Sequence, residues 1–244
     1  RRLSQQLEWL RLRLMELDAD KARFLRHISH ELKTPLAALR EGVALLEDGV
    51  TGELNPDQRE VAAILRHNTR VLQGQIEALL RFNAAAFEAR QLKRQRTDLL
   101  ALLRNQVEAQ RLQWQAHHLR VQVQGEPVVA QVDPDKLGTA LANLLSNAIR
   151  FSPERGSIHL GLALRDGRIA IEIRDQGPGI APADRERVFE PFYRGERQPQ
   201  DAVRGTGVGL SIVQEYIAAH GGLVRLLDGD SPGAHFLIEL PHGT

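Results

Sequence analysis

The feature that most constrains the fold is a long row of apolar positions at helical spacing near the start of the chain. The steps alternate between three and four residues, through Leu3, Leu7, Leu10, Leu14, Leu17, Phe24, Ile28, Leu32, Leu36, Leu39, Val43 and Leu46. Lys21 takes the one missing place. This spacing predicts a helix whose apolar seam packs against a partner helix. Consecutive steps of four between Phe24 and Leu36 predict a local unwinding of the supercoil.

A turn and a second helix are predicted to follow. Residues 47–56 carry two glycines and a proline, and Asn55 and Pro56 suit the N-cap and the first position of a helix. The second helix extends to about residue 88, with apolar residues at Val61, Leu65, Val71, Leu72, Ile76, Leu79 and Leu80. Because such a hairpin cannot bury both apolar faces alone, we expect two chains to form a four-helix bundle. An isolated hairpin would leave a long apolar stripe in water.

The second half of the chain predicts a mixture of helices and strands. Residues 91–97 are polar and basic, as is typical of a linker between domains. The elements predicted after it are a helix capped at Thr97 or Asp98 and ending near His117, strands at 119–123 and 128–132, a helix opening at Pro134, strands at 157–164 and 168–174 joined by an Asp-Gly turn, a helix at 209–220, and strands at 223–227 and 235–240. The predicted fold class is α+β, an antiparallel helical hairpin that dimerises, followed by an α/β sandwich with helices on one face of one mixed sheet.

Composition narrows the class of function. The 244 residues carry 32 basic and 31 acidic side chains, a net charge of +1, which gives no field of the kind that attracts nucleic acid. Cysteine is absent, so disulfides and thiolate metal sites are excluded. The sequence contains no run of about 18 apolar residues, and its first residues lack the apolar core of a signal peptide.

Asn143 and Asn147 are polar residues that packing does not explain. They lie one turn apart on one face of a leucine-rich helix. A carboxamide oxygen can hold Mg²⁺ while phosphate oxygens fill other ligand positions. Two solvated or capping asparagines would give the same pattern, so the pair alone leaves both interpretations open.

Three further segments, rich in glycine or in aromatic residues, also carry residues that packing does not explain. Asp175-Gln176-Gly177-Pro178-Gly179 follows a strand, where its carboxylate could accept a hydrogen bond from a base amine, although alone it is an ordinary turn. Phe189-Glu190-Pro191-Phe192-Tyr193-Arg194 opens an irregular stretch. Gly205-Thr206-Gly207-Val208-Gly209-Leu210 leads into a helix and would expose backbone N–H groups to an anion. These segments match neither a Walker A motif nor a dinucleotide fingerprint.

His30 is the candidate reactive residue of the first helix. It lies two residues from both Ile28 and Leu32, so its imidazole is expected to point away from the apolar seam. Glu31 is placed to polarise the ring, and Pro35 removes a helix hydrogen bond shortly after it. An ordinary exposed histidine beside a tolerated kink would give the same local pattern.

These motifs together resemble those of the bacterial two-component sensor histidine kinases. Ser29-His30-Glu31-Leu32-Lys33-Thr34-Pro35-Leu36 matches their H-box letter for letter. The segments that begin at Asn143, Asp175, Phe189 and Gly205 resemble, in order, the N, G1, F and G2 boxes of the Bergerat (GHKL) ATP-binding fold. The resemblance extends over residues 24 to 240. Residues 40–46 and 52–58 are similar to sensors of the QseE/GlrK type.

The resemblance implies a role for each matching residue. His30 would be the phosphoacceptor, Glu31 would orient its ring and accept its proton, and Thr34 would position water for dephosphorylating a regulator. The implied ATP-binding residues are Asn143, Asn147, Arg150, Phe151, Asp175, Gly177, Gly179, Arg194, Gly205, Thr206, Gly207, Gly209 and Leu210, with Asn147 as the Mg²⁺ ligand. Residues 194–204 would form a mobile lid, in which Arg194, Arg197 and Arg204 are candidate phosphate contacts.

The resemblance also implies the organisation of the molecule. A coiled-coil signal helix would cover residues 1–23, the dimerisation and phosphotransfer domain 24–90, the linker 91–97 and the catalytic domain 98–244. ATP and Mg²⁺ are the expected cofactors. The expected partners are a second copy of the chain, forming a homodimer, and a response regulator receiver domain; nucleic acid is not expected as a partner. The chain would be the cytoplasmic portion of an inner-membrane bacterial sensor whose membrane segments lie outside these residues.

Other functions remain open alternatives at this point. An ATPase or chaperone of the same fold would not need His30, and a degenerate kinase could serve as a scaffold that binds no nucleotide. A sensor that acts mainly as a phosphatase is a further possibility. ATP-hydrolysing members of the wider superfamily carry a glutamate where Asn143 stands, and an amide cannot act as a general base at neutral pH.

Overall fold

The computed structural model describes residues 2–197, 205–227 and 232–242, and it divides into two compact units, Arg1–Phe87 and Glu88–Thr244. The first unit is helical, and the second contains the strands. The α+β fold class predicted from the sequence is therefore confirmed. Among the described residues, no helix has both the length and the apolar character required to cross a bilayer.

The first unit is formed by α1 (Arg2–Glu47) and α2 (Pro56–Glu88), of which the last residue, Glu88, groups with the second unit. Pro35 lies inside α1 without ending it. Asn55 begins α2 through a reciprocal capping box, in which its Oδ1 accepts from the Gln58 N–H at 2.8 Å and its own N–H donates to Gln58 Oε1 at 2.9 Å. The start of α2 therefore follows from local chemistry.

The helical hairpin buries only part of its apolar surface. Leu36 and Val43, seven residues apart in α1, are buried, as are Ala62 and Thr69, seven apart in α2. Many larger apolar side chains of the hairpin stay exposed, among them Leu32, Leu39, Leu45, Val61, Ile64, Leu65, Leu72 and Leu79. An apolar stripe of this size is rare on a free surface, and it is consistent with the predicted bundle.

The described residues of the second unit form two sheets and four α-helices. Its elements are β1 (Gln95–Asp98), α3 (Leu99–Ala109), α4 (Arg111–Ala116), β2 (Arg120–Gly125), β3 (Val129–Val132), α5 (Pro134–Phe151), β4 (Ser157–Arg165), β5 (Arg168–Arg174), a 3-10 helix (Pro182–Asp184), α6 (Gly209–Ala219), β6 (Leu223–Leu226) and β7 (His235–Pro241). The larger sheet has the order β2-β4-β5-β7-β6, with β2 parallel to β4 and the other pairs antiparallel.

The core of the second unit lies between the larger sheet and helices α3, α5 and α6. Alternate residues Ile158, Leu160 and Leu162 of β4 are buried, which is the period of a strand with one covered face. Helix α5 begins at the N-cap Asp133, whose carboxylate accepts from two backbone N–H groups of the first turn. Its leucine-rich face is fully buried, while Asn143 and Asn147 stay half-buried at its side.

Two predictions of secondary structure differ from the observed elements, and both differences arise from tertiary contacts. The predicted linker 91–97 is partly strand, because residues 95–98 pair antiparallel with β3 as a separate two-stranded sheet. There are thus two sheets instead of one. The helix predicted to run from residue 98 to 117 is divided into α3 and α4 at Gln110, whose Nε2 donates to the Ala142 carbonyl of α5 at 3.0 Å.

Candidate nucleotide-binding site

One pocket of the second unit collects residues from five separate segments of the chain. It lies at the ends of α5 and β5, beside the loop before α6 and the start of β7. Its lining residues are Asn147, Arg150, Phe151, Asp175, Gly179, Ile180, Asp184, Val188, Tyr193, Arg194, Gly195, Arg197, Gly205, Gly207, Gly209, Leu210, Ala234 and Phe236. One end is acidic and apolar, and the other is basic and rich in glycine.

The acidic end is formed by Asp175, which is 4% exposed. Its Oδ1 accepts from the Gly177 N–H at 2.8 Å and from the Ala234 N–H at 3.0 Å. Burial raises the pKa of this carboxyl, and the two backbone donors offset only part of that rise. Since both bonds use Oδ1, Oδ2 is the oxygen that can accept from the amine of a bound base.

Glycines allow the backbone to approach Asp175 closely. A Cβ on Gly177 would lie 2.5 Å from the Phe151 carbonyl oxygen, and one on Gly233 would collide with the Asp175 backbone. Gly179 has a φ of +68°, which favours glycine. The acidic end is therefore closed on one side by backbone, leaving room for a planar ring near Phe151.

The basic end brings two guanidinium groups into the same pocket. Burial, and secondly the nearby charge of Arg194, lower the pKa of Arg150, although arginine stays charged at neutral pH. Arg150 also lies over the Phe151 ring, with its Cζ 5.3 Å from the ring centroid. Two cations held together in a pocket favour a multivalent anion between them, and phosphate is the anion that arginine recognises best.

The loop before α6 lies against both the basic end and the aromatic segment. Gly207 has a φ of +75°, and its carbonyl accepts from the Phe192 N–H at 2.9 Å. A Cβ at Gly207 would lie 2.8 Å from the Phe192 carbonyl carbon, and a Cβ at Gly205 would collide with the Arg150 guanidinium. The glycines therefore form a backbone cradle at the basic end, ahead of the helix that starts at Gly209.

The two asparagines of α5 occupy different positions. Asn147 lines the pocket, whereas Asn143 lies beside it, where its Oδ1 would be 3.3 Å from a Cβ on Gly209 and its Nδ2 donates to the Thr139 carbonyl. The amide oxygen of Asn147 suits a hard cation shared with phosphates, so the residues fit Mg²⁺. No group of three or more acidic, histidine or cysteine residues suited to a metal occurs in the part of the chain that the structure describes.

Most of the predicted ATP-binding residues meet in this pocket, namely Asn147, Arg150, Phe151, Asp175, Gly179, Arg194, Gly205, Gly207, Gly209 and Leu210. Asn143, Gly177 and Thr206 are not among its lining residues, although Asn143 and Gly177 contact neighbours that are. Arg197 of the predicted lid also lines the pocket, and Arg204 lies outside the described residues.

The sequence analysis missed several lining residues. Ala234, which immediately precedes β7, and Phe236 within β7 reach the pocket because β7 pairs with β5, so no local signal could identify them. Asp184 lies in a short stretch that resembles an ordinary turn. Tyr193 lies in the segment that begins at Phe189, but the resemblance implies no role for it in ATP binding.

Comparison with known proteins identifies both units. Residues 132–244 match the family described as histidine kinase-, DNA gyrase B- and HSP90-like ATPase, and residues 20–86 match the His Kinase A phospho-acceptor domain. The MprB sensor histidine kinase, from a mycobacterium, has a solved structure that is 31% identical, with a TM-score of 0.56 over 60% of this chain and 97% of that chain. This chain belongs to the sensor histidine kinase family.

Other histidine kinases match more of the chain. The sensor histidine kinase GlrK of Escherichia coli K12 is 38% identical over 99% of this chain and 50% of its own length. The crystal structure of full-length ShkA in complex with AMPPNP is 30% identical, with a TM-score of 0.66 over 90% of this chain and 46% of that chain. This histidine kinase chain therefore spans about half the length of such relatives. The resemblance to the GlrK type, predicted from residues 40–58, is confirmed.

The H-box of this histidine kinase lies in the first unit, within α1. Glu31 and Thr34 are exposed, and Leu36, two residues after Thr34, is buried. The side chain of His30 lies outside the described part of the structure, so its predicted direction stays a prediction. Asn143, Asn147 and Asp175 belong to the second unit.

Proposed function

We propose that this chain is the kinase portion of a sensor that transfers the γ-phosphoryl group of ATP to His30. The observation that carries the proposal is the pocket that pairs the Asp175 carboxylate at one end with Arg150 and Arg194 at the other. The carboxylate suits an adenine amine, and the two guanidinium groups suit a triphosphate. The AMPPNP complex of the related ShkA supports the same ligand class.

The proposed reaction needs no nucleophile from the pocket itself. An imidazole nitrogen of His30 attacks the γ-phosphorus, the bond from that phosphorus to the bridging oxygen breaks, and ADP leaves with the bonding electrons. Glu31 takes the ring proton. Asn143 cannot activate water as a carboxylate would, because an amide is not a base at neutral pH. ATP would therefore persist in the pocket until the imidazole arrives.

The remaining residues would bind and orient the substrate. Asp175 fixes the base, Phe151 lies against it, and the guanidinium groups of Arg150 and Arg194 hold phosphate oxygens. Mg²⁺ held by Asn147 would neutralise charge that develops on the phosphates. The backbone N–H groups from Gly205 to Gly209 would hold the end of the triphosphate at the start of α6.

We further propose that the phosphoryl group passes to an aspartate of a response regulator receiver domain, and that Thr34 positions water for the reverse, dephosphorylating reaction. The chain would act as a homodimer through the exposed apolar stripe of α1 and α2. It would face the cytoplasm and be attached to the inner membrane by segments outside these residues.

The test is to incubate the purified chain with Mg²⁺ and ATP labelled at the γ-phosphate. We expect a phosphate on the protein that is lost in acid and retained in base, as is characteristic of phosphohistidine. His30→Gln should abolish the label, while His27→Gln, an exposed histidine one turn earlier, should retain it. Release of inorganic phosphate without protein label, unchanged by His30→Gln, would instead indicate an ATPase of the same fold.

A further inference from the structure

Asp184 is a buried carboxylate that belongs to none of the recognised motifs, yet it lines the nucleotide pocket. It ends the 3-10 helix Pro182–Asp184 and is 3% exposed. A buried carboxylate is costly unless hydrogen bonds or a cation compensate it. Its place in a pocket that otherwise suits a polyanion therefore calls for a specific reason.

Both oxygens of Asp184 are bonded to the segment that opens the predicted lid. Oδ1 accepts from the Tyr193 hydroxyl at 2.6 Å, and Oδ2 accepts from the Glu196 N–H at 2.9 Å. The Tyr193 hydroxyl, followed by the Glu196 N–H, holds the pKa of Asp184 below its usual range, and the same contact raises the pKa of Tyr193. Asp184 is therefore ionised and Tyr193 protonated at neutral pH.

The segment is shaped to admit this carboxylate. A Cβ on Gly195 would lie 2.5 Å from Asp184 Oδ2, so a side chain there would displace it. The Arg187 guanidinium covers the Tyr193 ring, with its Cζ 4.2 Å from the centroid. Further along, Arg197 Nη1 donates to the Pro178 carbonyl at 2.5 Å. Residues 193–197 are thus attached at both ends to the walls of the pocket.

This attachment determines where Arg194 lies. Tyr193, Arg194, Gly195 and Arg197 all line the pocket, and Arg194 is close enough to Arg150 to lower its pKa. Two like charges repel, so the free protein must hold Arg194 in place against that repulsion. The residues on either side of it, Tyr193 and Glu196, are the ones bonded to Asp184.

We propose that Asp184 is a positioning residue for nucleotide binding, which fixes residues 193–196 so that the Arg194 guanidinium faces the phosphates before ATP arrives. This inference rests on the proposed function, because it assumes that ATP is the ligand. A segment ordered in advance loses less conformational freedom on binding. Its contribution belongs to the phosphate end, so recognition of the base by Asp175 and Phe151 is independent of it.

The experiment compares Asp184→Asn and Tyr193→Phe with the wild type. An asparagine has one acceptor oxygen where the carboxylate has two and carries no charge, so it cannot accept from the Tyr193 hydroxyl and the Glu196 N–H in the way that the carboxylate does. Tyr193→Phe removes one hydrogen bond and keeps the ring under Arg187. Glu186→Gln is the matched control, because it removes an exposed acid two residues along the chain.

The readout is the dissociation constant for ATP and for adenosine, measured by displacement of a fluorescent nucleotide, together with KM and kcat for protein labelling. For both variants we expect the Kd and the KM for ATP to rise about tenfold, with kcat and adenosine binding within about twofold of wild type. Glu186→Gln should resemble wild type in every value. The double variant should lose little more than either single variant, because both remove the same contact.

Two results would overturn the proposal. Wild-type affinity for ATP in both variants would remove the role, and an equal loss for ATP and adenosine would show a general structural effect instead. Tyr193→Phe decides the question if Asp184→Asn does not fold. A wild-type chain that binds no ATP would contradict the proposed function itself, whereas normal ATP binding by wild type and both variants would contradict only the role of Asp184.

Discussion

At the scale of single residues, Asp175 shows how backbone contacts select a carboxylate. Two N–H groups, of Gly177 and Ala234, donate to its Oδ1. An amide at this position would have to turn its oxygen toward them, because its NH2 group cannot accept a hydrogen bond. The NH2 group would then face the base amine, donor against donor. The side chain is thus specified by both the protein and the proposed ligand.

Asp175→Asn is accordingly expected to weaken ATP binding. An unpaired buried donor costs about 1–3 kcal/mol, so the Kd should rise by a factor of about 5 to 150. For the wild type, the affinity should fall with decreasing pH as the carboxylate is protonated, beginning at a higher pH than for an ordinary aspartate, because burial raises its pKa. Titration calorimetry from pH 8 to pH 5 measures both effects. An unchanged Kd for the variant would contradict the assignment.

His220 is a buried histidine held in one neutral form. Its Nδ1 donates to the Tyr216 carbonyl at 2.7 Å, since a carbonyl can only accept, and its Nε2 accepts from the Asp133 N–H at 3.0 Å. Burial lowers the pKa of His220, and the charge of Arg94 acts in the same direction, while Asp133 and the Tyr216 carbonyl oppose it. Protonation would remove the acceptor that Asp133 uses.

The resulting pH dependence of stability has a definite sign. The unfolded histidine binds a proton below about pH 6.5 while the folded one does not, so unfolding becomes easier as the pH falls from about 6.5 toward the lowered folded pKa. His220→Gln should be less stable at pH 7.5 yet lose this decline. Thermal melts between pH 8 and pH 5 measure it, with the exposed His159→Gln as control. A decline that persists in His220→Gln would refute the explanation.

At the scale of elements, the basic end of the pocket depends on contact between two irregular segments, one containing Phe192 and the other Gly207. Gly207 combines a φ of +75° with a carbonyl that accepts from the Phe192 N–H, and Phe192 itself has a φ of +66°. A left-handed conformation is unfavourable for a residue with a side chain. Gly207 and Phe192 both have a positive φ and are hydrogen-bonded to each other, which indicates that the surrounding structure imposes this conformation on Phe192.

Gly207→Ala is expected to disturb this contact and with it the site. The new Cβ would lie within 3 Å of Phe192 and Tyr193 backbone atoms, in addition to a backbone cost of about 1–2 kcal/mol. Gly167→Ala is a matched control, because Gly167 has a φ of +72° but its Cβ would meet nothing within 4 Å. Both variants should melt at lower temperature, but only Gly207→Ala should bind ATP at least about tenfold more weakly. Equal ATP affinity in the two variants would count against this account.

At the scale of the whole molecule, the first unit is incomplete as a single hairpin. Leu39 is 57% exposed and Leu72 is 46% exposed, and the residues that α2 buries are all alanine or threonine. Burial of a leucine contributes about 1.5–3 kcal/mol, and each substitution counts twice in a two-fold dimer. Association of two chains would therefore be strongly favoured by a few such residues.

Replacing Leu39 and Leu72 by glutamate should convert the proposed dimer to monomer at micromolar concentration. We expect light scattering after size-exclusion chromatography to report 27.3 kDa for the variant and twice that mass for the wild type. Leu112→Glu is the control, since Leu112 is 84% exposed in the second unit and should leave the mass unchanged. A variant that stays dimeric would place the interface on another surface.

The features that the sequence predicted well are those encoded within a few residues of each other. The helix predicted from the apolar spacing of residues 3–46, the Asn55 cap and the Asp-Gly turn all depend on neighbours along one helix or one turn. The resemblance of the motifs to those of a known family allowed the ATP-binding fold to be predicted as well. The start of a helix could be predicted where a capping residue precedes a proline, as at Asn55 and Pro56.

Only the tertiary structure decided the rest, because those contacts join residues that are distant in the chain. Strand β1 forms inside the predicted linker because β3 pairs with it, and α3 ends where Gln110 reaches α5. Ala234 reaches Asp175 across 59 residues through the pairing of β5 and β7, and Asp184 acts only once Tyr193 folds back on it. The periodicity of a sequence does not predict such long-range contacts, because the packing of the whole unit determines which segments become neighbours.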